Sequence, residues 1–181
     1  MRLPLGALAL SILLTAQARA GEDWSAWERA LAAHPLKDRS GSVVKLAELE
    51  GNVVVVSFWA SWCKPCKKEL RAIDGWSQEA TSAGLPAPKI VAISVDQDAR
   101  KALRFVDEAA LRLPVYLDGP DGLARSLDIP ALPLTLVLDR SGRVAAVARG
   151  TDELPAVERA LRALLAEPAA VRTAEEEEAR G

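Results

Sequence analysis

The chain of 181 residues holds two cysteines and one histidine, and both cysteines fall in Trp62-Cys63-Lys64-Pro65-Cys66. A pair spaced this way has three chemical uses. As a staple it is poorly placed: a four-residue ring returns only about 2 kcal/mol, against about 4.7 kcal/mol for a ring of a hundred residues. As a metal site it lacks two ligands, with His34 and Met1 the only other soft donors. Thiol–disulfide exchange needs nothing more than the pair itself, provided that one thiol ionises readily. A cysteine at the start of a helix meets free backbone N–H groups and the positive end of the helix dipole, and both favour the thiolate. Lys64, Lys67 and Lys68 add positive charge in the same place. On this reading Cys63 attacks and Cys66, one turn on and facing inward, resolves. Pro65 suits a first helical turn, where its missing N–H costs little.

Ala131-Leu132-Pro133-Leu134 is a second feature of interest. A cis bond before a proline here would leave Leu132 offering its backbone N–H and C=O to an extended substrate. The sequence alone does not separate Pro133 from Pro130 in this role.

The elements around the cysteines read as alternating strands and helices. Val53 to Trp59 is apolar without alternation, as in a strand buried on both faces. Helical spacing follows over Lys64 to Ala83, then a second buried strand over Lys89 to Val95. Asp98 to Arg112 returns to helix, Pro114 to Asp118 is a short strand, and Asp121 to Leu127 a short helix. Leu134–Leu138 and Val144–Ala148 flank Asp139-Arg140-Ser141-Gly142 as a hairpin, and Pro155 to Glu167 closes the chain as a helix. Upstream, Glu22 to His34 has helical spacing. A turn at Asp38-Arg39-Ser40-Gly41, a strand at Val43-Val44 and one helical turn at Ala47–Leu49 follow it. The pattern predicts a single α/β domain, a mixed sheet between helices, over residues 36–167 after an N-terminal helical segment, 21–35.

Composition narrows the function. At 50% hydrophobic residues the chain is no disordered polymer, and a net charge of −2 argues against nucleic acid as a partner. Met1-Arg2, the apolar run Leu5–Leu14 and Ala18-Arg19-Ala20 have the layout of a cleaved signal peptide over residues 1–20. The run is too short to span a bilayer comfortably, although an uncleaved leader would serve as an anchor. Export, to the periplasm, brings the cysteines to a compartment where disulfides persist. Residues 168–181, with Glu175 to Glu178, read as a solvated, disordered acidic tail.

The segment VVVVSFWASWCKPCKKE, Val53 to Glu69, resembles the active-site segment of the thioredoxin superfamily, and most of all the exported TlpA/ResA/DsbE-like thiol–disulfide oxidoreductases. KLAELEGNVVVV, KIVAISVDQDA and LPLTLVLDRSGRVAAVARG match the same family in order, so the likeness runs over residues 36–166. It implies a thioredoxin-like fold, with a central mixed β-sheet flanked by helices, an N-terminal β-hairpin, and a central strand–helix insertion between Asp96 and Asp118. Cys63 becomes the attacking thiol, Cys66 the resolving thiol and Pro133 the cis-proline. Trp62, Lys64, Pro65 and Leu132 are expected to meet the substrate. Glu69 matches a glutamate that the family keeps near the dithiol, to raise a cysteine pKa or accept a proton; the alternative is a solvated helix carboxylate. Ser57 stands where cytoplasmic thioredoxins carry a buried aspartate, and Leu134 where the family often has threonine.

The resemblance implies an enzyme with no cofactor beyond the redox-active Cys63–Cys66 disulfide, and a monomer. Its partners would be proteins bearing a disulfide, such as apocytochrome c in cytochrome c maturation, and a membrane electron donor for re-reduction. Reductase is the expected direction. A disulfide oxidant, or a copper-binding module on the same fold, would use the same pair.

Overall fold

The computed structural model describes residues 23–119 and 122–168. The signal-peptide reading, and all of the acidic tail except Pro168, lie outside the described residues. Seven strands form one sheet: β1 (Pro35–Asp38), β2 (Val43–Lys45), β3 (Val54–Trp59), β4 (Lys89–Ser94), β5 (Val115–Leu117), β6 (Leu134–Leu138) and β7 (Val144–Arg149), in the order β2-β1-β5-β4-β3-β6-β7. β3, β4 and β5 run parallel, while the two outer pairs join them antiparallel. Among the described residues five α-helices cover it, α1 (Ser25–Ala33), α2 (Lys64–Ser82), α3 (Ala99–Glu108), α4 (Leu123–Ser126) and α5 (Leu154–Ala166), and Leu46–Leu49 adds one 3-10 turn. No described helix is long and apolar enough to cross a membrane.

The sheet divides the interior in two. Val55 and Trp59 of β3 face a core built with α2, α3 and α5, through Leu70, Ile73, Val106 and Leu161. Val54, Val56 and Phe58 face the opposite core, with Leu31 of α1 and Leu123 of α4. Every residue of β3 is therefore buried, which is why the run carries no polar alternation. Successive parallel strands joined by right-handed crossovers put α2 and α3 on one face, and the return from β5 to β6 puts α4 on the other.

The tetrapeptide Asp-Arg-Ser-Gly occurs twice and makes the same turn twice. Asp38 Oδ1 accepts the Ser40 N–H and Asp139 Oδ1 the Ser141 N–H, both at 2.8 Å. Gly41 and Gly142 sit at φ of +87° and +79°, which glycine adopts without strain.

Two local readings differ from the structure. β1 is a strand, although Leu36 is its one strongly apolar residue; that side chain is fully buried in the α1-side core, and Lys37 and Asp38 pair with β5. α3 stops at Glu108 rather than running to Arg112. Ala110 turns left-handed at φ 52°, and the Leu111 N–H returns to the Val106 carbonyl as a helix-ending bond.

Candidate redox site

The parallel arrangement brings the end of β3 to the start of α2, and Cys63 is the N-cap residue of that helix. The two cysteines form a disulfide with S–S 1.99 Å and Cα atoms 5.3 Å apart. The Cys66 N–H also donates to Cys63 Sγ at 3.3 Å, so the cap sulfur meets one of the free N–H groups of the first turn. Pro65 occupies that turn. Cys63 retains 5% of its surface and Cys66 none. An incoming thiol or disulfide therefore meets Cys63 first. Lys64 and Pro65 are exposed beside it, and Trp62 is 68% exposed.

The loop that presents Cys63 is tied down from β4. Asp96, 6% exposed, accepts the Ser61 N–H at 2.8 Å and the Ser61 hydroxyl at 2.7 Å. The Ser94 hydroxyl donates to the same carboxylate at 2.9 Å. In the sequence Asp96 stands out only as the start of the strand–helix insertion. A carboxylate directly after a buried strand, two residues beyond a serine, is the signal that marks it.

Beneath Cys66 lies Glu69, only 1% exposed. Its Oε1 accepts a hydrogen bond from the Thr135 hydroxyl, while Oε2 has no hydrogen-bond partner among the described residues. Burial raises the Glu69 pKa above the ordinary glutamate range, and the Thr135 bond opposes that rise. This corrects the alternative of a solvated helix carboxylate: the position faces the core, in line with Cys66, Ile73 and Trp76. Ser57 is cross-strand partner to both Thr135 and Ala92; it is fully buried, and its hydroxyl also lacks a partner. Thr135, unremarked in the sequence, is thus the residue that links β6 to α2.

The Leu132–Pro133 bond is cis, and Pro130 is not. Leu132 is half-buried against both cores, including the cluster that holds the cysteines. Among the described residues its N–H and carbonyl make no backbone hydrogen bond, whereas the Pro133 carbonyl accepts the Gly150 N–H at 3.0 Å. The fold thus gathers Trp62, Cys63, Lys64, Pro65 and Cys66 at one helix start, with Glu69 one turn below, and sets Leu132 against the same core. His34 lies past the end of α1, its Nε2 3.4 Å from Asp118. Among the described residues no three His, Cys, Asp or Glu side chains gather as a metal site.

Residues 29–147 match the model of the AhpC/TSA family. The thiol–disulfide oxidoreductase ResA of Bacillus subtilis is 31% identical over 116 residues, 64% of this chain and 63% of that protein. The match thus spans a little under two thirds of that relative's length. Among solved structures, a DsbE-type thiol:disulfide interchange protein from Chlorobium tepidum superposes with a TM-score of 0.65 at 26% identity, over 74% of this chain and 94% of its own. A secreted thiol-disulfide isomerase from Corynebacterium glutamicum gives 0.56 at 32% identity, over 67% and 78%. By the span of that match, and on a thioredoxin-like fold, the chain belongs to the AhpC/TSA family.

Proposed function

We propose that the protein is an exported thiol–disulfide oxidoreductase that reduces disulfides in other exported proteins. The observation that carries this is the Cys63–Cys66 ring at the start of α2, with Cys63 keeping a small exposed edge and Cys66 fully buried beneath it. The four-residue ring is too small to be worth much as a staple.

In the reduced protein the Cys63 thiolate attacks one sulfur of a substrate disulfide. The substrate S–S bond breaks, a Cys63–substrate bond forms, and the departing sulfur takes up a proton. Cys66 then loses its proton and attacks Cys63 Sγ. The mixed disulfide breaks, the second substrate sulfur leaves as a thiol, and the Cys63–Cys66 bond closes. Two electrons pass from the protein to the substrate. Glu69, a strengthened base because burial raises its pKa, receives the Cys66 proton. The free backbone groups of Leu132 pair with the extended substrate beside Pro133, and Trp62, Lys64 and Pro65 form the rim it crosses. Apocytochrome c or another exported thiol protein is the substrate, and a membrane electron donor restores the dithiol in the periplasm. No cofactor takes part beyond the cysteine pair.

Cys66→Ser leaves no resolving thiol, so exported variant protein should accumulate covalently bound to its substrate through Cys63, released by reductant. Absence of any such adduct in cells exporting the variant would overturn the proposal. Direction is read from the potential of the pair: a value near or above about −120 mV would make the protein an oxidant instead.

A further inference from the structure

The first two turns of α2 carry Lys64, Lys67, Lys68 and Arg71, all exposed, at the spacing that lines up one helix face. Their side chains make no hydrogen bond or ion pair among the described residues. The carboxylates on the same helix do not cancel them. The first turn has none, Glu69 points into the core, Asp74 accepts the Arg112 N–H and faces its guanidinium at 3.6 Å, and Glu79 pairs with Arg162 at 2.7 Å. Helix stability does not ask for this arrangement, because cations near a helix N-terminus oppose the dipole and acids would support it. Composition does not ask for it either, since the whole chain is net negative at −2. The stripe extends about 10 Å along the axis, roughly the length of three residues of extended chain. It begins beside Cys63 and next to Trp62, whose 68% exposed ring offers an apolar contact at the same end.

We propose that this stripe is the docking surface for acidic residues flanking the substrate's disulfide, and that it selects substrates by charge. The proposal rests on the disulfide-exchange reading and adds to it the class of polypeptide that reacts fastest. An acidic segment laid along Lys67, Lys68 and Arg71 brings its own cystine to Cys63. An anionic membrane on the same face would instead cover the dithiol, so a polypeptide is the occupant that the geometry favours. Four unpaired cations beside a nucleophile raise the encounter rate with an anionic partner, and they do so less as salt screens them.

The test uses the reduced full-length protein and three cystine peptides that differ only in flanking Glu, Gln or Lys. At low ionic strength the second-order rate for the Glu peptide should exceed that for the Lys peptide by about tenfold or more, with the ratio falling toward one in high salt. The triple variant Lys67→Glu, Lys68→Glu, Arg71→Glu should invert the order, and the triple variant Lys67→Arg, Lys68→Arg, Arg71→Lys should keep it. The ratio of the two rates is the readout, because any change in the thiol itself cancels in it. Equal, salt-insensitive rates in the unmodified protein would overturn the docking surface and leave the disulfide reading standing. The same result with tight binding to anionic vesicles would overturn it in favour of a membrane contact. No reduction of any peptide would overturn both.

Discussion

Glu69 is the residue whose surroundings matter most for the chemistry after the cysteines. It is buried with one oxygen bonded to Thr135 and the other without a partner, so its charged form is disfavoured. Because its folded-state pKa is raised, the folded protein binds this proton more tightly than the unfolded chain does. Stability is therefore fully present below the ordinary glutamate pKa and declines as pH rises toward the raised value. Glu69→Gln removes this slope. Thermal unfolding of the variant against the parent should show little difference in acid and a gain of order 1–3 kcal/mol above the raised pKa. A constant difference across the pH range would refute the assignment. The burial could have been found without coordinates, since Glu69 lies four residues before Ile73 and seven before Trp76 on the apolar stripe of α2. Its partner could not, because Thr135 is 66 positions away and belongs to another element.

At the scale of elements, the loop between β3 and α2 is held by β4 through Asp96. Asp96→Ala leaves the Ser61 N–H and the hydroxyls of Ser61 and Ser94 without their acceptor, and should cost about 3 kcal/mol in denaturant unfolding. The loss should also be local. Hydrogen exchange at Ser61 and Trp62 is expected to accelerate more than exchange in α5, whereas uniform acceleration would mean that Asp96 supports only the global fold. Most elements were legible from periodicity within a residue or two, because α2, β3, β4 and the β6–β7 hairpin are long enough to repeat their pattern. β1 was not, since four residues with one strongly apolar side chain carry no period. The left-handed Ala110 that ends α3 was hidden for a related reason: no glycine announces the turn.

For the whole molecule, the sheet separates two cores whose fully buried side chains are distinct, with only the half-buried Val95 and Leu132 touching both. Leu31→Ala on the α1 side and Ile73→Ala on the α2 side each empty a fully buried position, and each should cost about 2–5 kcal/mol. The double variant should lose the sum to within roughly 0.5 kcal/mol, since the two sites share no partners across the sheet. A coupling well beyond that in denaturant titrations would show that β3 transmits strain between its faces. Both losses bear on the dithiol, because β3 carries side chains into both cores and ends at the loop that delivers Cys63.

What the sequence determined by itself is short-ranged. It put two cysteines three apart at a strand–helix junction, buried a six-residue strand on both faces, and repeated Asp-Arg-Ser-Gly where two hairpins turn. Spacing, periodicity and turn chemistry act between near neighbours, so they can be read in order along the chain. Local pattern left Pro130 and Pro133 equal candidates for the cis bond, and the family resemblance pointed to Pro133, where the bond is cis. Only the tertiary structure set Thr135 on Glu69 and brought Asp96 back over 35 positions to Ser61. Those choices follow from register and burial. A carboxylate takes whichever distant hydroxyl or N–H the sheet order delivers, and that order exists only once β3 lies between β4 and β6.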